Sequence, residues 1–388
     1  MANDGHRANG QENMIDAVSR LHRDAPLTDV HVHPSLKAYL YNRDLWRHYW
    51  SGKAWDPFSS RADFKMLEKG GVGVIWAAHY LPERQLFSDC PLIRSAAAFF
   101  VPDSRRLFEG SLFERTVEMI GAMEREIARR PDRVELARSA ADVVRIREAG
   151  KLAVVHSVEG SHILEGDLGR LEILADLGVA MLTLAHFYPN DIAAHVDGVP
   201  KGMFIRRACR FEFGANGSPP LTEFGRAVLG KLKTLPMLVD VTHCAPQARA
   251  EIYAELGGAR PIMASHVGVE RYNPDPYNLS DDEIQEIAGS GGAVGVIFMT
   301  YWLDSAHPKD GLVSIWNTIE HIHDVTGSWD HIVLGTDFDG FTDPPDDLRD
   351  SSSMGRVTRM LLERGVSEPD VAKILGGNAQ RVLEAGWR

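Results

Sequence analysis

Short apolar runs recur along the chain from residue 27 onward: Leu27–Val30, Gly71–Ala78, Leu152–Val158, Val179–Leu184, Met237–Val241, Pro261–Ser265, Ala293–Phe298 and His331–Leu334. They are rich in Val, Ile and Leu and lack polar alternation, the pattern of parallel strands covered on both faces. Segments with helical periodicity separate most of them. These are Leu112–Arg129, ending before Pro131; Ala140–Glu148, closed by Gly150; Leu168–Leu177; Thr222–Thr234; Ala245–Leu256; Ser280–Ala288; and Leu312–Thr326. Ser280 with Glu283 has the spacing of a capping box. Eight strand candidates alternating with helices predict a single (β/α)8 TIM barrel, an α/β fold, over about residues 27–340. Extra helices flank it: Glu12–Arg23 before, and Ser353–Arg364, Pro369–Leu375 and Asn378–Ala385 after. The expected division is an arm, 1–26, and a barrel with its C-terminal helices, 27–388. An open doubly wound sheet is the alternative, but no Gly-x-Gly-x-x-Gly turn follows the first run.

Two stretches interrupt the alternation. Residues 186–220 are rich in Gly and Pro and read as a functional loop. Tyr39 to Phe58 carries Trp46, Trp50 and Trp55, and reads as a covering segment over a site or as a satellite hydrophobic cluster.

Composition narrows the function. A net charge of −12 repels phosphate backbones, and no basic run overrides it, so nucleic acid is not an expected partner. Cys90, Cys209 and Cys244 do not suggest a disulfide framework. The polar N-terminus lacks a leader's apolar core, and Ala293–Leu303 is too short to span a bilayer. The expectation is a cytoplasmic enzyme acting on a small molecule, without a membrane partner; a homodimer stays open.

The chemistry sits just after the apolar runs. In a barrel of parallel strands the active site lies at their C-terminal ends. There the sequence places His31 and His33, Glu159, His186, His243, His266 and Asp337, with His79 after the second run and Thr300 and Tyr301 after the seventh. In a strand, residues i and i+2 share a face, so His31 and His33 point the same way. His31, His33, His243 and His266 offer neutral nitrogen donors, and the Glu159 carboxylate is able to bridge two ions. The set suits two divalent metal ions, most simply Zn2+, with open positions for a shared water. Lys151 lies at the wrong end of its run to serve as a bridge instead. Asp337 fits a general base that returns its proton to a leaving amine, with Asp339 as a rival or a supporting loop residue. His186 fits a donor to a developing oxyanion. His156 reads as buried and structural, Cys244 as core packing, and His321 and His323 do not share a helix face. His162, His195 and His307 fall in loops without an assigned task.

Six stretches, in order, resemble the membrane (renal) dipeptidase family of the amidohydrolase superfamily, peptidase family M19. They are Val158-Glu159-Gly160-Ser161-His162, Leu182-Thr183-Leu184-Ala185-His186, Asp240-Val241-Thr242-His243, Pro261-Ile262-Met263-Ala264-Ser265-His266, Gly335-Thr336-Asp337-Phe338-Asp339-Gly340 and Gly376-Gly377-Asn378. The resemblance implies a two-zinc barrel that hydrolyses dipeptides, including ones with a C-terminal D-residue. It also implies that Glu159 bridges the ions, His186 polarises the scissile carbonyl, and Asp337 is the acid and base. Two departures stand out. His33 occupies the place of the family's aspartate, which makes the site less negative by about one charge. Tyr277 stands where an arginine that grips the substrate carboxylate is expected, with Arg271 close by as a substitute. The reaction expected is hydrolysis of a dipeptide or an N-acyl amino acid by a metal-bridging hydroxide. A lactonase or phosphotriesterase, a metal-dependent decarboxylase and a non-catalytic binding barrel are the alternatives.

Overall fold

Each of the eight expected strands forms in the computed structural model, which describes residues 14–49, 58–199, 204–211, 219–304 and 310–387. In chain order the strands are β1 (Leu27–Val32), β2 (Val72–His79), β3 (Val134–Leu136), β4 (Leu152–Glu159), β5 (Val179–Thr183), β6 (Leu238–Asp240), β7 (Ile262–Val267), β8 (Ala293–Val296) and β9 (Ile332–Leu334). All pairings between them are parallel. β1 pairs with β2 and β9, the series runs on from β9 through β8, β7, β6 and β5 to β4, and β2–β4 closes the ring. The result is an eight-stranded parallel barrel surrounded by helices.

β3 is an addition the hydrophobic pattern did not disclose, because three residues are too few to show a period. It pairs with Leu152–Val154 of β4, while β5 pairs with His156–Glu159 farther along. β1 runs two residues beyond its apolar stretch, and β8 stops at Val296 rather than Phe298. Gly295 and Gly335 are needed for closeness: a Cβ on either would lie within 1.9 Å of the Ser265 carbonyl oxygen on β7.

The helices follow the sequence closely, and Ser280 and Glu283 form the expected reciprocal cap. Helix 14–24 packs on the barrel through buried Leu21 and a His22–Thr358 hydrogen bond. The Gly376-Gly377-Asn378 stretch is structural. Gly376 lies against the Pro26 carbonyl, and Asn378 donates to the carbonyls of Trp329 and Ile332, tying the last helix to the start of β9.

The aromatic stretch after β1 divides. Trp46 packs on Phe64 and donates to the Glu126 carbonyl, on the helix side of the barrel; Trp50 and Trp55 lie outside the described residues. Cysteine usage is corrected: Cys90 and Cys209 form a disulfide, joining the segment after β2 to the long loop after β5. Spacing alone did not announce that bridge, since 119 residues separate its ends. No described helix is long and apolar enough to cross a membrane.

Candidate metal centre

The five expected ligands meet at the C-terminal ends of β1, β4, β6 and β7. The Glu159 carboxylate is their hub. Its Oε1 lies 3.1 Å from His243 Nε2, 3.3 Å from His266 Nε2 and 3.4 Å from His31 Nε2; its Oε2 lies 3.4 Å from His33 Nε2. His31 and His33 bring their Nε2 atoms within 3.0 Å of each other, as alternation on one strand requires. All five are buried.

Whether this set suits a divalent cation turns on which ring nitrogens carry lone pairs. Asp240, at the end of β6, accepts hydrogen bonds from Thr183, from the backbone and hydroxyl of Thr242, and from the backbone of Ser265. Ser265 Oγ also donates to it, at 2.6 Å. A hydroxyl has one proton to give, so toward the imidazoles Ser265 Oγ acts as acceptor. It lies 2.8 Å from His266 Nδ1 and 3.3 Å from His31 Nδ1. Those Nδ1 atoms therefore carry the hydrogen, and the Nε2 lone pairs face the centre. That is the tautomer a metal ligand needs. Burial also holds His33, His243 and His266 below the usual histidine range, which favours the neutral form. Three overlapping groups have donor atoms within 4.8 Å of one another: His31–Glu159–His266, His31–His33–Asp337 and Glu159–His186–His243. The residues fit a divalent metal site.

Charge is arranged unevenly between the two acids. Burial works to raise the pKa of Glu159, yet His31 and His186 beside it hold it well below the usual carboxylate range. Burial pushes Asp337 well above that range, against the pull of His31 and His243. Asp337 Oδ1 is 3.0 Å from His33 Nε2, so it stands against the ligand cluster. Its backbone is left-handed, with φ 58°, as is that of His243 at φ 68°. Conformations of this kind cost a non-glycine residue roughly 1–3 kcal/mol and persist where the surroundings impose them.

His186 Nε2 is 3.8 Å from Glu159 Oε1, and its ring packs against His243 and Tyr80. Asp339 accepts from the backbone N–H groups of Arg61 and Ala62, the supporting loop role expected of it. Tyr277 is buried beside the centre. Its ring stacks on Trp302 at 4.2 Å and lies 5.1 Å from His243, and its hydroxyl donates to the His266 carbonyl. Arg271 is exposed at a turn, next to Tyr272, whose ring meets His321; it makes no hydrogen bond or ion pair among the described residues.

Several other candidates leave the site. His79 turns to His156, 2.9 Å away, rather than joining the ligands. Tyr301 lies toward Asp275, and Thr300 opens a short helix. His321 pairs with Asp281 while His323 stacks on Trp329. Cys244 is buried, and His307 lies outside the described residues. Sequence reasoning missed Ser265 and Asp240 as orienting groups, although both sit inside the quoted stretches. It also missed Glu83, which the fold brings to His186 from the segment after β2.

The comparisons with known proteins bear on family and fold. The family model described as membrane dipeptidase (peptidase family M19) matches residues 15–386. A protein of Klebsiella pneumoniae, described as an uncharacterized protein in the pqqA 5′ region, is 32% identical over 282 residues, covering 70% of this chain and 96% of its own. Dipeptidase tcpJ of Claviceps purpurea (strain 20.1) is 27% identical over 327 residues, 84% of this chain and 69% of that protein. Among solved structures, a metallo peptidase from Rhodobacter sphaeroides, liganded with a phosphinate mimic of the dipeptide L-Ala-D-Ala, is similar with a TM-score of 0.73. It is 20% identical, and the match covers 93% of this chain and 99% of that one. A match that runs nearly from end to end of the chain places it: the protein belongs to the membrane dipeptidase family, peptidase family M19.

Proposed function

We propose that this chain is a two-metal dipeptidase of the zinc type, with residues 27–388 as its catalytic unit and 1–26 as an arm. One observation carries the reading: a single buried carboxylate, Glu159, meets the Nε2 atoms of His31, His33, His243 and His266 within 3.1–3.4 Å. These five residues would hold two divalent ions. Bound there, such ions polarise a carbonyl and lower the pKa of water. His186 aims Nε2 at the same space, where it would meet a carbonyl oxygen as charge develops on it. Asp337, standing against the ligand cluster, takes a proton from the attacking water and hands it to the departing amine. The substrate is a small molecule, a dipeptide or an N-acyl amino acid, and the working unit is a monomer or a homodimer. The Cys90–Cys209 disulfide fits an oxidising compartment better than the cytoplasm expected from composition.

Tyr277 favours a second reading of the same centre. Its hydroxyl is committed to the His266 carbonyl and its ring to Trp302, and Arg249 is turned to Glu283 and to the carbonyls of Pro276–Asn278. A site so furnished suits uncharged substrates such as amides or lactones. The test is a hydrolysis panel with metal-replete and chelator-stripped protein: L,L- and L,D-dipeptides, their C-terminal amides, N-acyl amino acids, lactones and phosphotriesters. Metal-dependent turnover of free dipeptides is expected. Turnover of lactones or phosphotriesters alone removes the dipeptidase reading and leaves the hydrolase.

A further inference from the structure

Glu83 lies just beyond β2, 103 residues before His186 in sequence, and is 3% exposed. Three donors converge on its carboxylate. His186 Nδ1 lies 3.1 Å from Oε1 and 3.3 Å from Oε2, the Phe187 backbone N–H donates to Oε1 at 3.1 Å, and the Tyr80 hydroxyl donates to Oε2 at 2.9 Å. His162 Nδ1 stands 4.0 Å off. Burial works to raise the carboxyl's pKa, but His186 and His162 more than offset it, and the net direction is down. As a carboxylate it can only accept, so the hydrogen on His186 Nδ1 points at Glu83. The imidazole is thereby fixed at Nδ1, and Nε2 is left to face Glu159, where it donates to an oxygen when the ring carries a hydrogen on both nitrogens.

We propose that Glu83 is a positioning residue: it holds the His186 ring by Nδ1 so that Nε2 is presented to the metal-ligand cluster. Packing alone does not set this orientation, because an imidazole flipped about its ring axis fills almost the same volume. Tyr80, with its ring 4.2 Å from that of His186, blocks tilting and is itself held by Glu83. The same carboxylate fixes the Phe187 backbone, so one residue sets both the ring and the chain that carries it. This rests on the reading of His186 as the group that meets the substrate carbonyl.

The test uses Glu83→Gln, which keeps one acceptor oxygen, and Glu83→Leu, which keeps none. Metal-replete Glu83→Leu is expected to lose ~10²-fold in kcat and Glu83→Gln about tenfold, the range found for groups that orient a functional histidine, with KM within about twofold. A second readout does not need activity. In protein labelled with 15N-histidine, the Nδ1 proton of His186, assigned by its loss in His186→Ala, should shift in Glu83→Gln and vanish into exchange in Glu83→Leu. An unmoved Nδ1 signal, or unchanged kcat in a folded, metal-loaded Glu83 variant, overturns the proposal. If Glu83→Leu does not fold, Glu83→Gln decides alone. If the wild type turns over none of the panel, the dipeptidase reading falls, and the Nδ1 signal still decides the role of Glu83.

Discussion

At the N-terminal ends of the strands, Val74 and Trp76 of β2, Ala153 and Val155 of β4, Leu238 and Met263 pack with Val143 and Ile146 of one helix and with Val382, Leu383 and Trp387 at the C-terminus. At the C-terminal ends, the barrel strands and the loops after them carry His31, His33, Glu159, His243, His266 and Asp337, all buried as well. The backbones differ in the same sense. Where chains enter strands, left-handed positions fall on glycine, as at Gly150 before β4 and Gly178 before β5. Where they leave, Gly160 after β4 does the same, but His243, Asp337, Asp339 and Phe341 also adopt that conformation. The entry end takes up strain with the residue for which it costs least. The exit end bears it on non-glycine residues, two of which, His243 and Asp337, stand in the candidate centre. One end is packed apolar core, the other carries the candidate metal centre.

Substitutions at the two ends of the barrel separate their contributions, beginning with the most damaging. Glu159→Gln removes the shared carboxylate; turnover should fall ~10³-fold, about 4 kcal/mol in the barrier, with metal content falling in parallel by elemental analysis. Loss of activity with both ions retained would show that Glu159 is not the hub. Trp387→Ala probes the opposite end. It should cost about 3 kcal/mol of stability in urea unfolding, while kcat per folded molecule stays within twofold. A large drop in kcat there would dissolve the separation of the two ends. Asp337→Asn should lower kcat ~10²-fold, about 2.7 kcal/mol, with metal retained. Metal loss in that variant would recast Asp337 chiefly as a ligand, a position its 3.0 Å approach to His33 also allows. Arg271→Ala should change KM by less than about twofold, as for an exposed side chain with no hydrogen bond or ion pair among the described residues. A tenfold rise in KM for free dipeptides, with none for their amides, would bring Arg271 into the site after all.

The sequence determined the eight barrel strands, though not the short β3, since buried parallel strands are written as local apolar runs and a run of four or more residues is readable by itself. It determined the candidate ligands too, because a residue just past a strand lands at the barrel's exit end whatever the loops do. The pairing of His31 with His33 followed from alternation alone. What only the tertiary structure decided are contacts between side chains distant in sequence. Glu83 reaches His186 across 103 residues, Cys90 reaches Cys209 across 119, and His79 turns to His156 across 77. Ser265 and Asp240 were visible as residues, but their task depends on which proton faces which lone pair, and that is fixed only when β5, β6 and β7 stand side by side. Periodicity is a property of neighbours along the chain. A shared hydrogen bond is a property of neighbours in space, and closing the barrel is what makes them neighbours.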